Sequence, residues 1–123
     1  VLIVDDSKLA RMSVAKTLEA LRPDWIRVEA ANADEALALA HASPFDVALL
    51  DFNMPGRDGL ELAAELRALS PQMPVAVISA NLQTEIVARA GEVGARFLSK
   101  PLTTPAMAAF IAEAEGRLGL DPA

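Results

Sequence analysis

The stretch VALLDFNMPG, residues 47–56, decides how the chain is read. Four apolar residues run without a polar break into one carboxylate, Asp51, and then into a Met-Pro-Gly turn. A strand covered on both faces has this pattern, because polar alternation is needed only where one face meets water. Working outward, similar short runs recur at Val1–Val4, Trp25–Ala30, Val75–Ile78 and Arg96–Leu98. Between them the apolar spacing turns helical. Ala10, Val14, Thr17, Leu18 and Leu21 share a face before Pro23, and a second helix starts near Asn32 or Asp34 with Ala36, Leu37 and Ala40 inward. A third follows Asp58-Gly59 with Leu60, Leu62, Ala63, Leu66 and Leu69, and a fourth spans Leu82 to Val93, stopped by Gly94. The last takes Thr104 as N-cap and Pro105 as its first residue, with Met107, Phe110, Ile111, Ala114 and Leu118 on one side. This alternation predicts an α/β fold: a doubly wound five-stranded parallel sheet with helices on both faces, in one domain over residues 1–123.

The composition suits that fold. The chain has 123 residues, 53% of them hydrophobic and 23% charged, enough to enclose a core. With no cysteine, disulfides and thiolate metal sites are excluded, in keeping with a reducing, cytoplasmic setting. No apolar run approaches the roughly 20 residues of a membrane span. A net charge of −6 argues against direct nucleic-acid binding. The sequence opens at Val1 without a Met, as a piece of a longer protein would.

Parallel α/β sheets bind ligands at the carboxyl ends of their strands. Those ends carry Asp5 and Asp6, Asp51, Ser79, and Lys100-Pro101. Three carboxylates brought within roughly 5 Å repel by about 3 kcal/mol per pair at an effective dielectric near 20. A cation between them removes that penalty, and oxygen-only ligands with a phosphate select Mg²⁺ over a calcium cage. A carboxylate beside Mg²⁺ can attack phosphorus while the metal and a lysine neutralise the phosphoryl oxygens. Asp51, delivered from a central strand into a turn, suits the nucleophile. Asp5 and Asp6 suit the metal, Lys100 the phosphoryl group, and Ser79 a hydrogen bond to it.

The segments VDD, LLDFNMPGRDG, ISA and LSKP, in this order along nearly the whole chain, resemble the receiver domain of bacterial two-component response regulators, the chemotaxis-receiver type. The resemblance implies strand order 2-1-3-4-5 and a phosphoryl group passed from a histidine kinase or phosphotransfer protein to Asp51. It also implies Mg²⁺ on Asp5, Asp6, Asp51 and the Asn53 carbonyl, with Ser79 and Phe97 as switch residues. A cis Lys100-Pro101 peptide belongs to the same pattern, as do Asn53 and Asn81 tuning dephosphorylation by positioning water without a catalytic acid. Phosphorylation is then expected to remodel the surface of the fourth helix, last strand and last helix, where an effector or a second copy docks. Ala106, Ala109, Ala112 and Glu113 form a candidate output face there. Lys8, Leu9, Arg11, Met12 and Ala15 are read as outward residues of the first helix, where a kinase docks.

Taken singly, these residues have plainer readings. An acid pair favours a helix N-terminus, Ser79 is a loop hydroxyl, Lys100 a surface lysine, Phe97 core and His41 surface. Their joint placement on one edge is what gives them a shared function. A haloacid-dehalogenase-type phosphohydrolase needs an acid two residues after its nucleophile, where this chain has Asn53. A flavodoxin-like carrier needs a phosphate cradle where Asp5 and Asp6 stand. A receiver-shaped module that binds partners without phosphorylation remains the alternative.

Overall fold

The computed structural model describes residues 1–54, 58–80, 84–100 and 102–118, with the backbone alone for Thr84, Arg117 and Leu118. Among the described residues ten elements alternate: β1 (Leu2–Val4), α1 (Lys8–Leu21), β2 (Val28–Ala30), α2 (Ala33–Ala42), β3 (Ala48–Asp51), α3 (Gly59–Leu69), β4 (Val75–Ser79), α4 (Thr84–Glu92), β5 (Arg96–Ser99) and α5 (Thr104–Leu118). The strands form one parallel sheet in the order β2-β1-β3-β4-β5. Alternate strand residues point to opposite faces, and both faces are apolar. Leu2, Val4, Ala48, Leu50, Val75 and Val77 pack with Ala36, Leu60, Ala63, Leu66 and Ala90 under α2, α3 and α4. Ile3, Leu49, Ala76, Ile78 and Leu98 pack with Leu18, Met107, Phe110, Ile111 and Ala114 under α1 and α5. Each fully buried aliphatic side chain contributes about 1.5–3 kcal/mol relative to exposure.

Side-chain caps start α1, α2 and α3. Ser7 Oγ accepts from the Ala10 amide at 3.3 Å, Asn32 Oδ1 from Glu35 at 2.8 Å and Asp58 Oδ1 from Glu61 at 2.8 Å. Gly94, at φ +73°, follows α4, and the Ala95 amide returns to the Ala90 carbonyl at 2.8 Å. The sheet's winding direction reverses between β1 and β3, because β2 lies on one side of β1 and β3 on the other. That reversal opens a crevice at the carboxyl ends of these two strands.

Several boundaries differ from the sequence reading. The second strand covers only Val28–Ala30, since the Trp25 amide is engaged in a turn with the Arg22 carbonyl at 3.1 Å. The cap of α5 is Thr103, whose Oγ1 accepts from the Ala106 amide at 3.2 Å and whose carbonyl accepts from Met107 at 3.0 Å. Thr104 is already inside the helix. Leu69, the last residue of α3, is exposed, not inward. Leu82, expected to begin the fourth helix, lies outside the described residues.

Candidate functional site

Register builds the site. Val4 pairs with Leu50, so Asp5, one residue on, lies beside Asp51 at the β1–β3 crevice. Asp51 pairs with Ile78, and Ser79 with Ser99, which brings Ser79 and Lys100 to the same edge. The Phe52 amide donates to the Ile78 carbonyl at 2.9 Å and the Lys100 amide to the Ser79 carbonyl at 3.0 Å, extending the ladder past the last strand residues. Oxygen atoms of Asp5, Asp6 and Asp51 all lie within 4.8 Å of one another. Asp51 is only 4% exposed and Asp5 is buried, whereas Asp6 faces solvent.

Charge is balanced only in part. Lys100 Nζ lies 2.7 Å from Asp51 Oδ1, an ion-pair distance. The approach lacks hydrogen-bond alignment, and among the described residues no donor is properly directed at this buried oxygen. Burial, opposed by the Ser7 amide but reinforced by Asp51, pushes the Asp5 carboxyl above its ordinary range. Lys100 moves up as well: burial works against its charge, and the contact and charge of Asp51, with Asp5 and Asp6, outweigh it. An all-oxygen site with surplus negative charge and an undersatisfied buried carboxylate oxygen fits Mg²⁺, which prefers a few carboxylates completed by water or phosphate.

The other expected residues have mixed fates. Ser79 is fully buried at this edge, and Asn53 is exposed two residues beyond Asp51. Phe97 is half-buried on β5 against the α2–α3–α4 core. Asn81 and Pro101, and with Pro101 the Lys100-Pro101 peptide geometry, lie outside the described residues. On α1, Lys8 is exposed, Leu9 80% exposed and Met12 52% exposed. Arg11 and Ala15 are not outward. Ala15 packs against the α1–α5 core, and Arg11 folds back onto the β1–α1 turn, because their helical phase points them to the sheet. On α5, Ala109, Ala112 and Glu113 are exposed and Ala106 half-buried; Glu113 pairs with Arg96 of β5 at 3.4 Å.

Two contributors were missed. A Cβ on Gly59 would overlap the Asp51 carbonyl oxygen and come within 3.0 Å of its carbonyl carbon, so only glycine lets α3 start against the Asp51 peptide. Asp58 both caps α3 and meets Arg89 of α4 at 3.4 Å. An Asp followed three residues later by Glu61 is a legible cap signal. The Gly59 contact has no local signature. A pocket of about 380 Å³ beside Trp25, Val28 and Phe45 opens at the opposite, amino-terminal edge of the sheet, away from the acids.

The acidic crevice on a 2-1-3-4-5 sheet defines a class, and comparison with known proteins bears this out. The chain belongs to the response regulator receiver domain family, whose sequence profile matches residues 1–112. The Positive alginate biosynthesis regulatory protein of Pseudomonas aeruginosa is 40% identical over 112 residues, covering 88% of this chain and 44% of that protein. Transcriptional regulatory protein PdtaR of Mycobacterium tuberculosis is 37% identical over 106 residues, covering 84% and 50% respectively. The chain thus spans about half the length of these relatives. A CheY-like receiver domain protein from Methanospirillum hungatei superposes with a TM-score of 0.86 at 27% identity, over 96% of this chain and 94% of that one. The receiver domain of NtrX from Brucella abortus does so at 0.80 and 31% identity, over 98% of each. The fold is therefore the flavodoxin-like receiver fold of two-component signalling. Among the described residues no helix is long and apolar enough to cross a membrane.

Proposed function

We propose that the chain is a phosphorylation-driven switch in which Asp51 accepts a phosphoryl group from a histidine kinase or phosphotransfer protein. The observation that carries this reading is the convergence of Asp5, Asp6 and Asp51 within 4.8 Å, with Lys100 Nζ 2.7 Å from Asp51. Asp5, Asp6, Asp51 and the Asn53 carbonyl would hold Mg²⁺, which would supply charge neutralisation of the phosphoryl oxygens and so lower the repulsion met by an attacking carboxylate. An Asp51 oxygen forms the new O–P bond as the N–P bond of the donor imidazole breaks, its electron pair staying on the nitrogen. Lys100 leaves Asp51 for a phosphoryl oxygen, and burial on β3 keeps the nucleophile aligned while limiting water. The added group brings about −1.5 to −2 charge with strong acceptor oxygens. Ser79 donates to it, and Phe97 turns into the space vacated. The α4–β5–α5 surface is thereby remodelled for an effector or a second copy. Asn53 and Asn81 position the water that slowly hydrolyses the acyl phosphate. Leu9 and Met12, with Lys8, offer the kinase an apolar contact beside the site.

The test is intact mass after incubation with Mg²⁺ and acetyl phosphate. The expected result is gain of one hydroxylamine-labile phosphoryl group, absent without Mg²⁺ and in Asp51→Asn. A folded protein left unmodified both by acetyl phosphate and by a phosphorylated kinase would favour a binding module that works without phosphorylation. Asp substitutions at Leu9 and Met12 should slow transfer from the kinase and leave transfer from acetyl phosphate unchanged. Equal slowing of both removes the docking assignment.

A further inference from the structure

Arg11 stands on the first turn of α1 and reaches back to the turn that carries the acid pair. Its Nη1 donates to the Asp5 carbonyl oxygen at 2.6 Å and its Nε to Glu29 Oε1 on β2 at 3.1 Å. Its side chain is 14% exposed against 41% for Glu29. Asp5 is thus held at three points. Its amide donates to the Ala30 carbonyl at 3.2 Å, its Oδ1 accepts from the Ser7 amide at 2.9 Å, and its carbonyl accepts from Arg11. That carbonyl belongs to the peptide leading into Asp6, so its orientation sets the direction in which the exposed Asp6 carboxylate leaves the backbone. The planar guanidinium presents donors in a rigid fork, able to serve the Asp5 carbonyl and Glu29 together. A positive group beside a divalent-cation site would by charge alone oppose the cation. Its presence there is explained by where its donors point.

We infer that Arg11 is a positioning residue for the Asp5–Asp6 pair, itself oriented by Glu29, so that the cation affinity of the site depends on a side chain that does not touch the cation. The inference rests on the Mg²⁺ reading proposed above. It predicts an effect opposite in sign to simple electrostatics, under which removing Arg11 tightens Mg²⁺ binding.

The test is Mg²⁺ titration by calorimetry on the wild type, Arg11→Met, Arg11→Lys and Glu29→Ala, with urea unfolding of each. Loss of a partner that orients a metal ligand typically weakens the metal by tenfold or more, so Arg11→Met should bind Mg²⁺ about tenfold more weakly. Arg11→Lys keeps the charge but cannot span both acceptors, and should recover only part of that loss. Glu29→Ala, acting one contact further out, should weaken binding by less than Arg11→Met does. Folded Arg11→Met with unchanged or tighter Mg²⁺ binding overturns the inference and leaves Arg11 a tether between α1 and β2. Should Arg11→Met not fold, Arg11→Lys decides: wild-type affinity overturns the inference, and weakened affinity supports it. A wild type that binds no Mg²⁺ overturns the proposed function instead. Hydrogen exchange at the Ser7 amide then judges Arg11 by itself, with faster exchange in the variants supporting its hold on the turn and unchanged exchange ending it.

Discussion

β3 and β5 deliver opposite sides of the same site and are built differently. Every residue of β3 is buried, and β1 and β4 flank it on either side. β5 is an edge strand paired only with β4, with Arg96 and Ser99 exposed and Phe97 half-buried. Shifting the end of β3 disturbs two hydrogen-bonded ladders; shifting the end of β5 disturbs one. Asp51, the proposed phosphoryl acceptor, ends the central, fully buried strand, where its neighbours can be aligned to it. Lys100 and Phe97, the proposed responders, lie on or just after the edge strand, where displacement costs least. The proposed switch would use both halves.

Leu50→Ala removes a fully buried side chain from β3 and should cost about 3 kcal/mol in urea unfolding. Gly59→Ala presses a methyl group on the Asp51 peptide and should cost about 2 kcal/mol. It should also slow phosphorylation by acetyl phosphate even where the protein remains folded. Phe97→Ala on β5, half-buried, should cost about 1.5 kcal/mol, half or less of a fully buried aromatic. If Phe97→Ala proves as costly as Leu50→Ala, the edge strand is as firmly held as the centre and the contrast fails. Mg²⁺ at ten times its Kd should stabilise the protein by about 1.4 kcal/mol, and Asp5→Asn should abolish that gain.

The Lys100 pKa is raised above its ordinary 10.5, so the stabilisation it provides is complete below that value and lost as pH rises through the higher folded value. Asp5 behaves in the opposite sense to a salt-bridged acid. Its folded pKa lies above the ordinary 3.8, so its ionisation costs stability at neutral pH, and acidification through the folded value relieves the cost. Without metal, Asp5→Asn should therefore raise the melting temperature at pH 7 and flatten the acid limb of the stability curve. A lower melting temperature would mean that the Ser7 contact outweighs the burial of charge at Asp5.

Much of this was legible before any coordinates. Continuous apolar runs such as Val47–Leu50 can exist only where both faces of a strand are covered, which makes the sheet parallel and places Asp5, Asp6, Asp51, Ser79 and Lys100 together at its carboxyl edge. The cap at Asp58 was missed although its signal is local, a hydrogen bond between residues three apart. Arg11 and Ala15 were misplaced because α1 spreads small and polar residues around its circumference. Its rotation was decided by packing against Ile3, Met107 and Ile111, far away in sequence. The strand Trp25–Ala30 was overextended because apolar content does not reveal that an amide is already engaged in a turn. Which chemical groups stand at the strand ends therefore follows from the order of residues alone, since burial of an apolar run is a property of the run. That Lys100 meets Asp51, that Gly59 lies against the Asp51 peptide and that Arg11 holds Asp5 follows only from the folded arrangement. Those contacts depend on strand register and helix rotation, which are set jointly by segments distant in the chain.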